Sequence, residues 1–232
     1  TKVRRDLHRT PELAMQEFVT KEKIKKYLDE IKDKYTRTLT TMEKISQGNL
    51  DIEIDKDLES NSVLAQYLER SLKEAYMYTK NFKSLEKERC NSIMFMGQVG
   101  AGKSHLSLAI ANELMDSGVG VLYMGYREVV TGIKQNIMDE VYYNKVMNRY
   151  KNAKVLLIDD LFKGSISKSD INIMFELINH RYFNKLPVIV STELSIENLV
   201  NIDEALGSRL IEMSKDFLVG IRNKKLNYRI YG

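Results

Sequence analysis

Five short apolar runs, at residues 93–96, 120–124, 155–158, 188–190 and 217–219, are continuous rather than alternating. That pattern restricts the fold more than anything else in the chain. A strand with one wet face alternates apolar and polar residues. A strand covered on both faces need not, and such coverage is the habit of parallel sheets. Stretches of helical character fill the gaps, at 103–116, 128–139, 169–183 and 203–213. Parallel neighbours cannot be joined by a tight hairpin, so each connection needs a crossover, usually a helix. The expected architecture is α/β, a doubly wound three-layer αβα parallel sheet.

The first part of the chain reads differently. Up to about Arg89 it is charged, glycine-poor and helical in period. Pro11-Glu12 marks a helix start with Thr10 as its cap, and Leu13, Phe18, Ile24, Leu28 and Ile31 form a loose apolar stripe. Gly48-Asn49 is a break. A second helix is expected from about Ser60, where Val63, Leu64, Tyr67, Leu68, Leu72 and Ala75 recur at three and four residues. A packed helical extension and a docking module for a protein partner fit this pattern equally. Residues 1–80 are therefore expected to be a helical N-terminal extension, and residues 81–232 the α/β domain.

The sharpest local signal stands where the first apolar run meets the first long helix. Gly97-Gln98-Val99-Gly100-Ala101-Gly102-Lys103-Ser104 carries two glycines at fixed spacing followed by Lys-Ser, the Walker A pattern of a P-loop NTPase. Glycines let the backbone wrap closely and aim its N–H groups at phosphate oxygens, with a helix N-terminus behind them. Lys103 is expected to neutralise the terminal phosphates of ATP, and the Ser104 hydroxyl to ligate Mg²⁺. His105, next in line, is grouped with this segment and expected to be a packed helix residue rather than a catalyst. A second piece follows in Val155-Leu156-Leu157-Ile158-Asp159-Asp160, a buried-strand run ending in two carboxylates. Paired carboxylates at the end of an apolar strand need a charge partner, and a metal supplies one. Asp159 is expected to hold Mg²⁺, and Asp160 to polarise the attacking water.

The bulk numbers exclude little. With 43% hydrophobic and 29% charged residues, the chain suits a globular protein. Its net charge of +4 permits a polyanionic partner without demanding one. Cys90 is the single cysteine, so no intramolecular disulfide can form and a reducing cytoplasm is the expected compartment. No apolar run approaches the roughly 20 residues that span a bilayer, so no membrane is expected. Thr1 is not a methionine, which leaves a longer natural chain open.

With these residues placed, the chain resembles the DnaC/DnaI/IstB group of AAA+ ATPases over residues 81–213. The markers are Asn81-Phe82, Gly102-Lys103-Ser104-His105-Leu106, Ile158-Asp159-Asp160-Leu161, and the helix Phe175-Glu176-Leu177-Ile178-Asn179-His180-Arg181-Tyr182. After them come Pro187-Val188-Ile189-Val190-Ser191-Thr192-Glu193-Leu194-Ser195, similar to the group's sensor-1 strand, and Gly207-Ser208-Arg209-Leu210, similar to its arginine-finger segment. The resemblance implies an AAA+ domain without a full lid, ATP-dependent self-assembly with Arg209 reaching a neighbour's nucleotide, and single-stranded DNA as a ligand. It also implies that the N-terminal region engages a hexameric replicative helicase. One departure stands out. Sensor 1 usually ends in Asn, and here that position falls on Glu193, or on Thr192 with the register moved by one, in which case Thr192 takes the catalytic role.

Arg127, Lys134, Phe162 and Lys163 suit either a channel for single-stranded DNA or solvated surface. The basic tail Arg222-Asn223-Lys224-Lys225-Leu226-Asn227-Tyr228-Arg229 suits either an edge hairpin or a phosphate-tracking patch. The leading reading is an ATP-dependent helicase loader. An IstB-like transposition ATPase acting on duplex DNA shares nearly all the motifs. A small-molecule P-loop kinase lacks support, since no arginine-rich lid segment follows the third strand. A non-hydrolysing adaptor is suggested by Glu193 alone.

Overall fold

The computed structural model describes the backbone of residues 58–221 and the side chains of residues 70–221. The Thr10 cap, the stripe from Leu13 to Ile31, the Gly48-Asn49 break and the tail from Arg222 to Arg229 lie outside the described residues. Contacts divide the chain into two units, residues 1–65 and 66–232; the sheet and the candidate site belong to the second.

The first described helix, α1 (Leu58–Leu85), runs through the boundary expected at residue 80. Within the second unit it buries Ser71, Ala75, Tyr78 and Phe82, a stripe at four-, three- and four-residue steps that keeps to one helix face. Tyr78 meets Phe217 edge to face and donates its hydroxyl to the Asn91 carbonyl. Then come β1 (Ile93–Gly97), α2 (Lys103–Asp116), β2 (Val121–Gly125), α3 (Tyr126–Gln135) and α4 (Glu140–Asn152). The chain continues through β3 (Val155–Leu161), α5 (Lys168–Phe183), β4 (Val188–Thr192), α6 (Ile196–Ile202) and α7 (Glu204–Met213). A 3₁₀ turn at Lys215–Phe217 leads into β5 (Leu218–Ile221).

The five strands form one parallel sheet in the order β2-β3-β4-β1-β5. All residues of β1, β3 and β4 are buried, which is why their runs do not alternate. From β1 the chain crosses to the far edge and then steps back strand by strand. Right-handed crossovers therefore put α2 on one face and α3 to α7 on the other. The strand order reverses at β1, and ligands of open α/β sheets bind at the carboxyl end of such a switch point.

Two elements differ from the sequence expectation. The helix expected at 128–139 ends at Gln135 and an additional helix follows, because Asn136–Asp139 turns and the Asp139 side chain then caps α4 by accepting from the Tyr142 amide. Ahead of the expected late helix stands α6, capped by Ser195; Asp203 then caps α7. Gly207 lets these two helices cross, since a Cβ there would stand 3.0–3.1 Å from the Val200 and Leu199 backbone.

Arg181 ties the layers together. It is fully buried and donates to the carbonyls of Tyr150, Lys151, Ala153 and Pro187 at 2.7–3.1 Å. Those carbonyls belong to the end of α4, the entry to β3 and the entry to β4. Cys90 is half-buried, and burial with Asp216 nearby pushes its thiol up. Among the described residues no helix is long and apolar enough to cross a membrane.

Candidate nucleotide site

The loop after β1 has the backbone that its glycines predict. Gly100 (φ 77°) and Gly102 (φ 82°) are left-handed, a region costly for residues with a Cβ. Gly97 has a different reason to be glycine: it pairs with Ile221 of β5, and a Cβ would collide with the Ile221 carbonyl. Lys103 opens α2, is 5% exposed, and donates to the Gln98 carbonyl at 2.7 Å, tying the helix start to the loop. Burial lowers the Lys103 ammonium's pKa, while the carboxylates of Glu193, Asp160 and Asp159 pull the other way. Gln98 and Gly100 are half-buried, Ala101 is buried and Val99 is exposed at the tip. His105 is exposed rather than packed, because it falls on the solvent side of α2, between buried Lys103 and Leu106.

β3 delivers its two carboxylates through an irregularity. Ile158 pairs with Val190 and Leu161 with Thr192, so β3 carries one more residue than β4 across this interval. Such a bulge re-aims side chains. Asp160 and Phe162 both take φ of 57°, conformations that cost of order 1–3 kcal/mol each and persist only where the surroundings fix them. Asp159 receives the Ser104 hydroxyl at 2.7 Å and the Ser191 hydroxyl at 2.6 Å on one oxygen, and the Tyr123 hydroxyl at 3.1 Å on the other. Ser191 also accepts the Asp160 amide at 2.8 Å. Asp160 pairs with Lys163 at 3.2 Å, and the same ammonium pairs with Glu193 at 2.7 Å.

Ser191 and Tyr123 escape the sequence reading. Ser191 leaves a faint signal, a hydroxyl inside an otherwise apolar strand. Tyr123 leaves none until the strand order puts β2 beside β3.

Two further expectations need correction. Thr192 is fully buried, and its hydroxyl donates to the Leu161 carbonyl at 2.9 Å and accepts the Leu194 amide at 3.2 Å. Its hydrogen bonds hold the rim of β3 and β4, so it is spent on the main chain rather than offered to a phosphate. Phe162 is 2% exposed and packs edge to face on Tyr126, because its left-handed backbone turns the ring inward. No base can stack on it. Of the other three DNA candidates, Lys134 is held by Asp170 at 2.6 Å, Lys163 belongs to the carboxylate cluster, and Arg127 is exposed. Arg209 lies outside this crevice, on α7. Its guanidinium sits over the rings of Phe175 and Tyr182 at 5.2 and 5.6 Å and bonds the Ala205 carbonyl at 2.6 Å.

A family model for the IstB-like ATP binding protein matches residues 20–213. The chain belongs to this family. Its AAA+ domain is 41% identical over 175 residues to the phage-like element PBSX protein XkdC of Bacillus subtilis, covering 70% of this chain and 65% of that one. It is 26% identical over 143 residues to the replicative helicase loader DnaC of Escherichia coli, covering 61% and 56%. A crystal structure of the DnaC helicase loader superposes with a TM-score of 0.57 at 25% identity, over 67% of this chain and 90% of that one. The chain thus spans less than two thirds of the length of either curated relative.

The residues of this IstB-like domain suit ATP with Mg²⁺. Left-handed Gly100 and Gly102 leave loop amides for phosphate, and a Cβ at Gly102 would meet nothing within 4 Å. Ser104 and Asp159 bring two hard oxygens together. Among the described residues no cluster of three or more His, Cys, Asp or Glu could hold a metal. Mg²⁺ takes one or two protein ligands and fills its sphere with water and phosphate, so two such oxygens suffice for it.

Proposed function

We propose that this chain is an ATP-controlled loader that binds the hexameric replicative DNA helicase and helps place it on single-stranded DNA when replication starts. The observation that carries the reading is the meeting of Lys103, Ser104, Asp159 and Asp160 in one crevice of a chain similar to a replicative helicase loader. Loop amides and Lys103 bind the phosphates; Ser104 and Asp159 hold the metal, with Ser191 and Tyr123 fixing the Asp159 carboxylate. Asp160 orients the attacking water. Mg²⁺ supplies charge neutralisation on the phosphates when bound. Arg209 serves the nucleotide of a neighbouring copy in an ATP-dependent oligomer, because it stands apart from its own chain's crevice. Residues 1–80 contain the helicase-binding region, and Arg127, which lines one pocket with Lys134 and Lys163, is offered to single-stranded DNA. The protein works in the cytoplasm.

The test is light scattering during size-exclusion chromatography of the chain mixed with its host's helicase hexamer, with and without ATP. Co-elution at a defined mass supports the loader. No complex in either condition, with the hexamer intact, removes it. A second reading, an IstB-like transposition ATPase on duplex DNA, draws on the matched family model, and duplex binding without helicase binding would select it. ATP turnover measured with and without single-stranded DNA separates both from a kinase or a non-hydrolysing adaptor.

A further inference from the structure

We infer that Lys163, anchored by Glu193, is the residue that lets this site tell a nucleoside triphosphate from a diphosphate. The inference rests on the ATP-binding reading above and assigns a task to two residues that reading leaves idle. Glu193 poses the problem. It follows β4 directly, next to the carboxylates of β3, where a further negative charge opposes any polyphosphate.

Its partner resolves the difficulty. Lys163 pairs with Glu193 at 2.7 Å and with Asp160 at 3.2 Å. An ammonium has three donors, so two carboxylates leave one for a ligand, and the side chain is 31% exposed. The backbone holds it there. The Lys163 amide donates to the Asp160 carbonyl at 3.1 Å, closing a turn shaped by the left-handed Asp160 and Phe162 and sealed by Phe162 in the core. With Lys163 present, two lysines face the carboxylates of Asp159, Asp160 and Glu193; without it, Lys103 faces all three alone. The loop amides serve phosphates that di- and triphosphates share, and Lys103 divides its charge between the β- and γ-phosphates. A second lysine, restrained beside the carboxylate that handles the attacking water, is placed for the phosphate under attack. Lys163 is thus a contact residue, and Glu193 a positioning residue acting through it.

The experiment is equilibrium binding of a fluorescent non-hydrolysable ATP analogue and of ADP, each with Mg²⁺, to the full chain and to K163M, K163R, E193Q and K163M/E193Q. Thermal unfolding confirms that each variant is folded. K163M is expected to weaken the triphosphate about tenfold with ADP affinity held within about twofold, and K163R to keep the preference. E193Q in wild-type background lowers the preference by releasing Lys163. In K163M background it improves triphosphate binding by removing an unmasked charge, a non-additivity that marks direct coupling. An unchanged preference in K163M, or equal losses for both nucleotides, overturns the inference. Should K163M not fold, E193Q decides alone: a reduced preference supports it, a wild-type preference sinks it. Wild-type protein that binds neither nucleotide refutes the ATP site itself, a result distinct from a lost or kept preference.

Discussion

Arg181 is a full charge with no carboxylate beside it among the described residues. Four carbonyls take its place, two of them at the negative end of α4, where the helix dipole favours a cation. Burial pulls the guanidinium's pKa down to about 9, which still leaves it charged at neutral pH. Arg181→Met would strand those carbonyls, and a loss of about 3–5 kcal/mol of stability is expected in urea titration. Lysine would not rescue it, since one ammonium cannot reproduce the planar fork. Lys103→Ala is expected to abolish ATP binding while the unfolding midpoint of the ligand-free protein barely moves; undiminished binding in a filter assay would remove the site. Asp170 gives a pH signature. Burial pushes its carboxyl up, but Lys134 and the Ser167 amide and hydroxyl outweigh this and hold it below the ordinary carboxylate range. A carboxyl more acidic in the folded than in the unfolded state stabilises fully above about pH 4, and that contribution vanishes as pH falls through the folded value. Asp170→Asn should therefore be less stable at pH 7 by about 1–2 kcal/mol and converge on wild type in acid, as followed by circular dichroism.

At the scale of elements, Gly97 links loop to sheet. Gly97→Ala would force β5 away from β1, so a drop of about 1–3 kcal/mol is expected, with faster amide exchange at Val219 and Ile221 than in wild type. The elements also show what a linear reading can see. β1, β3 and β4 were legible because burial on both faces leaves unbroken apolar runs. The edge strands β2 and β5 are only partly buried and were legible from apolar runs of their own, and α2 was legible because its glycine-rich start and apolar stripe are both strong. α4 was not. It buries only Met147 and Tyr150, too few to print a period. α6 has seven residues, too short for periodicity to register. The paired carboxylates were visible in Asp159-Asp160, yet the bulge that aims them was not, since an extra residue in a strand shows only against its partner. For the same reason Phe162 read as an exposed platform: nothing in its letter reveals a left-handed backbone.

At the scale of the whole molecule, assembly is the proposal most open to refutation. Arg209→Ala is expected to bind ATP normally as a monomer but to lose assembly-dependent hydrolysis by about 10³-fold or more. Turnover equal to wild type under assembling conditions would remove the finger. The strand order has a kinetic consequence as well. β1, which carries the phosphate loop, pairs with β4 and β5, the last two strands among the described residues. A nascent chain emerging from the ribosome thus makes its loop early and its scaffold late. About ninety residues separate β1 from its first partner, roughly 5–20 seconds of synthesis at ordinary elongation rates. During that interval the loop has no sheet to brace it, so nucleotide capture should be among the last properties the polypeptide acquires. A translation arrest before residue 188 should yield chains that hold the whole Walker A motif and retain no ATP.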